Sequence, residues 1–187
     1  MKKKIVIFIS GKGTNALNII NQFRDSDEIS VTNVYSNNKN SPFFNTQDDS
    51  KVSTSCFSND QLSSSVLEEL KTIDPDLIVL AGFLRKIPDT YIDYFENKII
   101  NIHPSILPSY GGKGMYGSKI HNQVIENNES ETGITIHYVS NQYDSGEIIF
   151  QKKIIIEDND TAKSIEEKIH ILEYEYYPKV IQSLLIK

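Results

Sequence analysis

Residues 5–16 read Ile5-Val6-Ile7-Phe8-Ile9-Ser10-Gly11-Lys12-Gly13-Thr14-Asn15-Ala16. The first five form an unbroken β-branched and aromatic run, the composition of a strand covered on both faces, as in a parallel sheet. Gly11 and Gly13 break the run, and Ala16, Ile19, Ile20 and Phe23 then recur at helical spacing. The unit is strand, glycine turn, helix.

The same alternation continues along the chain. Ile29 to Tyr35 reads as a second strand, and residues 36–58, rich in Ser, Asn and Asp, as a long loop holding one short element. Val66, Leu67, Leu70 and Ile73 mark a helix that Pro75 ends, and Leu77-Ile78-Val79-Leu80-Ala81 is the next buried strand. A short helix is expected over Asp89 to Phe95, a strand over Ile99 to His103 that stops at Pro104, and a helix over Ser118 to Asn127. Within Thr132 to Val139, Ile134, Ile136 and Tyr138 alternate, which predicts a strand with one wet face. Ile148 to Ile156 follows with no helix before it, so these two strands are expected to be antiparallel. Ala162, Ile165, Ile169, Leu172 and Tyr176 predict a long amphipathic C-terminal helix. The expected fold class is α/β: an open, mostly parallel twisted sheet with helices on both faces and antiparallel late strands.

At 187 residues the chain suits a single domain spanning 1–187, and no repeat or linker divides it. The formal net charge of −6 argues against a broad nucleic-acid surface. It leaves room for a small anion held by backbone N–H groups. Cys56 is the only cysteine, so no intramolecular disulfide forms, and no cysteine pair supports a metal site. Its Ser/Thr-rich setting suits a structural or incidental thiol. Met1-Lys2-Lys3-Lys4 begins like a secretory leader, but the apolar run Ile5 to Ile9 is too short for one, or for a membrane span. A soluble, cytoplasmic protein acting on small molecules, with no membrane or nucleic-acid partner, is the expectation.

Three places carry candidate chemistry. The glycine turn suits a phosphate, because glycine exposes backbone N–H groups and the following helix N-terminus adds partial positive charge. The alternative is a plain βα turn that needs glycine for its geometry. The same residues spell G-x-G-x-x-A, a loose dinucleotide fingerprint. That reading demands an acid at the end of the second strand, where the chain has Tyr35-Ser36-Asn37-Asn38 instead, so NAD is not expected. Asn101-Ile102-His103-Pro104-Ser105 follows a strand, with Asn101 and His103 on one side; an amide and an imidazole aimed together suit a developing oxyanion. A hydrogen-bonded structural histidine is the alternative. Asp144, in Tyr143-Asp144-Ser145-Gly146, reads as a turn former unless it reaches His103.

Asn101-Ile102-His103-Pro104-Ser105-Ile106-Leu107-Pro108 resembles the signature of the folate-dependent formyltransferases. Ala81-Gly82-Phe83-Leu84-Arg85 resembles the strand and loop preceding that signature, and Asp144-Ser145-Gly146 the family's third motif, with agreeing spacing. The opening Ile9 to Asn15 is similar to that of one branch, whose members formylate glycinamide ribonucleotide in purine synthesis. The resemblance covers nearly the whole chain. It implies a Rossmann-like formyltransferase fold, 10-formyltetrahydrofolate as co-substrate and no metal. The implied products are formylglycinamide ribonucleotide and tetrahydrofolate.

Asn101, His103 and Asp144 would be the catalytic trio, with Asp144 keeping His103 protonated so that it stabilises the formyl oxygen beside Asn101. Gly13, Thr14 and Asn15 would hold the ribosyl phosphate. Glu173, otherwise a solvated helix charge, would bind the same substrate. Leu84, Arg85, Lys86, Ile87, Ser140, Asn141, Gln142 and Tyr143, with Asn101 and Asp144, would line the folate pocket. Either a monomer or a homodimer is compatible.

Two departures from the family pattern stand out. Asn59-Asp60-Gln61-Leu62 replaces a region where relatives often carry a folate-touching arginine, so that contact is not carried over. Gly111-Gly112-Lys113-Gly114-Met115-Tyr116-Gly117 replaces a shorter Pro-Gly segment and reads either as a flap or ligand contact, or as an irregular turn. The alternative branch is a sugar-nucleotide N-formyltransferase, expected to lack the phosphate turn. The methionyl-tRNA branch is expected to need a second domain and a basic surface, and the hydrolase branch an N-terminal regulatory domain. A non-catalytic binding module is expected to lack a member of the trio.

Overall fold

The computed structural model describes residues 1–46 and 52–186. Among these, seven strands form one sheet: β1 (Lys3–Ile9), β2 (Ile29–Ser36), β3 (Ser53–Cys56), β4 (Leu77–Leu80), β5 (Ile99–His103), β6 (Glu131–Tyr138) and β7 (Ile148–Ile155). Their order is β3-β2-β1-β4-β5-β6-β7. The first five are parallel, and β6 and β7 run antiparallel. The helices are α1 (Thr14–Phe23), α2 (Asn59–Leu62), α3 (Ser65–Ile73), α4 (Asp89–Tyr94), α5 (Ser118–Glu126) and α6 (Ala162–Leu185). The expected α/β class and the antiparallel end are both present. No described helix is long and apolar enough to cross a membrane.

The pleat of β1 sorts its residues between two cores. Ile5, Ile7 and Ile9 pack with Ala16, Ile19 and Phe23 of α1 and Ile165, Ile169 and Tyr177 of α6. Val6 and Phe8 pack on the other face with Leu67 and Leu70 of α3 and Tyr91 of α4. Each such side chain contributes about 1.5–3 kcal/mol on leaving water. The second core is aromatic at its centre, with Phe8 stacked on Tyr35 at 5.2 Å and edge-on to Phe57 and Phe83. Because both faces of β1 are covered, its C-terminal end and the turn beyond it are fixed in place.

Three expectations need correction. The stretch 36–58 holds two elements rather than one, a 3₁₀ turn at Pro42–Asn45 and the strand β3; residues 47–51 of that stretch lie outside the described residues. β3 is an exposed edge strand reading Ser-Thr-Ser-Cys, so it carries no apolar signature. Second, β6 has no wet face. Thr135 is fully buried and His137 is 2% exposed. The Thr135 hydroxyl donates to the Ser105 carbonyl at 2.7 Å and accepts from the Leu107 N–H at 3.0 Å, so the polar face is covered and satisfied.

Third, the C-terminal helix runs on through Pro178, and its buried aromatic is Tyr177 rather than Tyr176. A proline there cannot donate to the carbonyl four residues back. That carbonyl, of Tyr174, instead accepts from Asn18 Nδ2 at 2.9 Å. The Tyr177 hydroxyl donates to the Leu80 carbonyl at 3.0 Å, which pins α6 to the end of β4.

Candidate functional site

β1 lies between β2 and β4, and the chain leaves β1 and β4 in different directions. The loops beyond their C-terminal ends therefore part and open a crevice, the usual ligand position in such sheets. Two hydrogen bonds stitch the loops at its floor: Ser10 N–H to the Gly82 carbonyl at 3.1 Å and Leu84 N–H to Ser10 Oγ at 2.9 Å. The crevice is a cavity of about 480 Å³ lined by Gly13, Thr14, Asn15, Leu84, Asn101, His103, Asp144 and Glu173, among others.

The glycine turn forms one wall. Gly13 has φ +72°, and a Cβ there would lie 2.7 Å from Phe43 Cδ2, so both backbone and packing require glycine. Gly13 ends the turn as the N-cap of α1, and no side chain caps the helix. The first-turn N–H donors remain available to an anion. Asn15 is buried and donates from Nδ2 to Glu173 Oε2 at 2.9 Å, while its own Oδ1 has no partner. Glu173 is 5% exposed and is no solvated helix charge.

The expected trio gathers at the ends of β5 and of the β6–β7 hairpin. Asn101 Nδ2 lies 3.2 Å from His137 Nε2. His103 Nε2–H donates to the Tyr110 carbonyl at 2.8 Å, leaving Nδ1 3.6 Å from Asp144 Oδ1. Asp144 has φ +52° and accepts from Gly112 N–H at 2.9 Å through Oδ2. Its Oδ1 also lies 3.7 Å from His137 Nε2. Two residues on, Gly146 passes so close to β6 that a Cβ would sit 1.7 Å from the Tyr138 carbonyl oxygen.

Charge follows from burial. Desolvation pulls His103 below the ordinary imidazole value and outweighs the Asp144 carboxylate and the Tyr110 carbonyl, which pull it up. Burial thus runs against the expectation that Asp144 keeps His103 protonated, and favours the neutral imidazole. Desolvation alone would raise Asp144, but His137, His103 and the Gly112 N–H together hold it below the ordinary carboxylate value.

A smaller cavity of about 60 Å³ is lined by Arg85, Lys86, Ile87, Ser140 and Gln142, and shares Phe83, Asn101, Tyr143 and Asp144 with the larger one. Asn101 and Asp144 thus stand where two cavities meet. Of the residues expected around a folate, Asn141 lines neither cavity and Leu84 lines only the larger. Asn59–Leu62 forms α2 and lines neither. Gly112 to Gly117 lines the larger cavity; Gly112 N–H donates to Asp144, while the Gly112 carbonyl accepts from Met115 N–H at 3.1 Å and the Gly117 carbonyl from Ile120 N–H at 3.0 Å. Among the described residues, no group of three or more His, Cys, Asp or Glu is arranged to hold a metal ion.

Three histidines escaped the sequence reading. His137 sits beside Asn101, His121 is 2% exposed with Nδ1 unpartnered on the larger cavity, and His170 lies 2.9 Å from Glu173. For His137 a signal existed: alternation puts it on the face of Thr135, and an antiparallel partner at β5 would set it opposite Asn101.

The chain matches the formyl transferase family over residues 3–181. It is 33% identical to phosphoribosylglycinamide formyltransferase of Bacillus subtilis, covering 98% of this chain and 95% of that protein. It is also 33% identical to the chloroplastic phosphoribosylglycinamide formyltransferase of Vigna unguiculata, of whose length it spans 61%. The crystal structure of phosphoribosylglycinamide formyltransferase from Bacillus halodurans superposes with a TM-score of 0.88 at 31% identity, over 99% of this chain and 96% of that one. The chain belongs to the formyl transferase family, on its phosphoribosylglycinamide formyltransferase branch.

Proposed function

We propose that this protein transfers the formyl group of 10-formyltetrahydrofolate to the amine of glycinamide ribonucleotide. One observation carries the reading: a phosphate-type turn and the Asn101–His103–Asp144 group line one cavity, and a second cavity joins it at Asn101 and Asp144. A two-substrate transfer needs two chambers that meet at the reacting atoms. Gly13, Thr14 and Asn15 hold the phosphate, with Glu173 beside it. Arg85 to Ile87, Ser140, Gln142 and Tyr143 surround the folate, which supplies the formyl carbon.

The hydrogen bonds suggest how the work divides. Asn101 gives one amide hydrogen to His137 and keeps a second for the formyl oxygen, where negative charge builds as the amine adds. His103 keeps Nε2–H on Tyr110, so Nδ1 is the nitrogen free to take the proton that the amine sheds. Asp144, 3.6 Å away, stabilises the imidazolium so formed. The proton then passes to the nitrogen that gives up the formyl group, and His103 returns to its starting state.

The test is tetrahydrofolate release when the protein meets both substrates. Release with glycinamide ribonucleotide, and a loss of about 10²–10³ in kcat for His103→Ala, supports the reading. Release with an amino-sugar nucleotide instead would move the chain to the sugar-nucleotide branch.

A further inference from the structure

Glu173 creates an electrostatic conflict. Its buried carboxylate accepts at 2.9 Å from Asn15, in the first turn of α1 just beyond Gly13. A carboxylate so close to a phosphate dianion repels it strongly where water is scarce, unless its charge is cancelled. His170 is placed to cancel it. Its Nδ1 lies 2.9 Å from the same Glu173 Oε2, one helical turn earlier on α6, and Asn15, His170 and Glu173 line one cavity.

The surroundings of His170 are asymmetric. From its own helix, Glu166 Oε1 lies 3.8 Å from Nε2, and the ring stacks on Tyr174 with centroids 5.9 Å apart. From other elements, Lys12 of the turn acts on it as a like charge, and the charge of His170 in turn helps burial hold His121 of α5 below its ordinary value. The Glu173 hydrogen bond, with the charges of Glu173 and Glu166, outweighs burial and Lys12 and lifts the imidazole above its ordinary value.

We propose that His170 is the counter-charge that lets a phosphate-bearing substrate sit beside Glu173. Protonated, it makes the pair neutral; deprotonated, it leaves one negative charge facing the phosphate. Substrate affinity therefore falls as the pH rises through the titration of His170, and binding takes up protons in that range. The inference rests on reading Gly13 to Asn15 as a phosphate site.

Ribose 5-phosphate binding to the whole protein, followed by calorimetry between about pH 6 and about pH 9, provides the test. His170→Gln keeps a hydrogen-bond donor and removes the charge. The ligand's own ionisation is common to all proteins compared and cancels. The wild type is expected to bind about tenfold tighter than His170→Gln at the acid end, converging with it at the alkaline end. The double variant His170→Gln/Glu173→Gln has no charge left to cancel, and is expected to recover the lost affinity. A His170→Gln profile that tracks the wild type, or a double variant as weak as His170→Gln, overturns the proposal alone. Absence of binding by the wild type at every pH removes the phosphate reading and the inference with it.

Discussion

Asn101 and His137 stand directly opposite each other in the β5–β6 ladder, and their side chains meet at 3.2 Å. His137 Nδ1–H donates to the Tyr138 carbonyl at 2.8 Å, which makes Nε2 the acceptor for Asn101. The histidine therefore fixes which end of the Asn101 amide is a donor toward the cavity. His137→Ala releases that constraint and lets the amide turn its oxygen toward the developing oxyanion. We expect kcat to fall about 10- to 100-fold with KM for both substrates changed little, since one oxyanion donor is worth up to 10²–10³. Steady-state kinetics decides; unchanged turnover would mean Asn101 needs no support.

The second prediction concerns pH. Burial holds the His103 pKa below its ordinary value of 6.5, and the neutral form is the one that takes the amine's proton. His103 is therefore expected to stay a competent base to a pH below the usual imidazole titration, and to lose that role as the pH drops through the lowered value. Asp144 is the largest influence pulling His103 upward. Asp144→Asn should move that titration lower still, while kcat falls about 10²–10³ because the imidazolium loses its carboxylate. An imidazole titration of His103, followed by NMR in the wild type and centred above 6.5, would contradict the neutral resting state.

Gly13 ties fold to substrate. A methyl group there meets Phe43 Cδ2 at 2.7 Å and Ile9 Cδ1 at 3.1 Å, on a backbone at φ +72°. Gly13→Ala is expected to cost about 1–3 kcal/mol of stability, from strain and overpacking together. It should also raise KM for the phosphorylated amine while leaving KM for the folate unchanged. Urea unfolding and two-substrate kinetics measure the two effects separately.

What could be read from the chain follows from how local each signal is. β1, β4 and α1 announce themselves because burial on both faces, or on one stripe, writes its period directly into the residues. β3 does not, because an exposed edge strand has no core to face. β6 misled because Thr135 and His137 look like a solvated face until Ser105, Leu107 and Asn101 are brought against them by the fold. Asn101, His103 and Asp144 were legible through motif spacing and strand-end position. The charge on His103 was not, since it depends on how far burial outweighs one carboxylate. His170 was hidden for a similar reason: a histidine one turn from a glutamate is ordinary on a helix surface, and only the burial of Glu173 against Asn15 gives it consequence.

The last prediction tests the anchoring of α6, which carries Glu173 and His170. Asp160 lies just before the helix, with Oδ2 2.7 Å from Lys168 Nζ and accepting from Glu157 N–H at 2.9 Å, and Oδ1 accepting from Ser164 Oγ at 2.7 Å. Led by Lys168, these partners lower its pKa from 3.8 to about 2. A carboxylate whose folded pKa lies below its unfolded one contributes stability above the unfolded value and loses it as the pH falls to the folded one. The contribution is thus complete above about pH 4 and gone near about pH 2. Asp160→Asn should lower the urea midpoint at neutral pH, and the gap from wild type should close across that window. Thr161→Ala, which removes the neighbouring cap accepting from Ser164 N–H, should cost about 1 kcal/mol without that pH dependence. An Asp160→Asn gap that stays constant down to the acid end would assign the effect to hydrogen-bond geometry rather than to the ionised carboxylate.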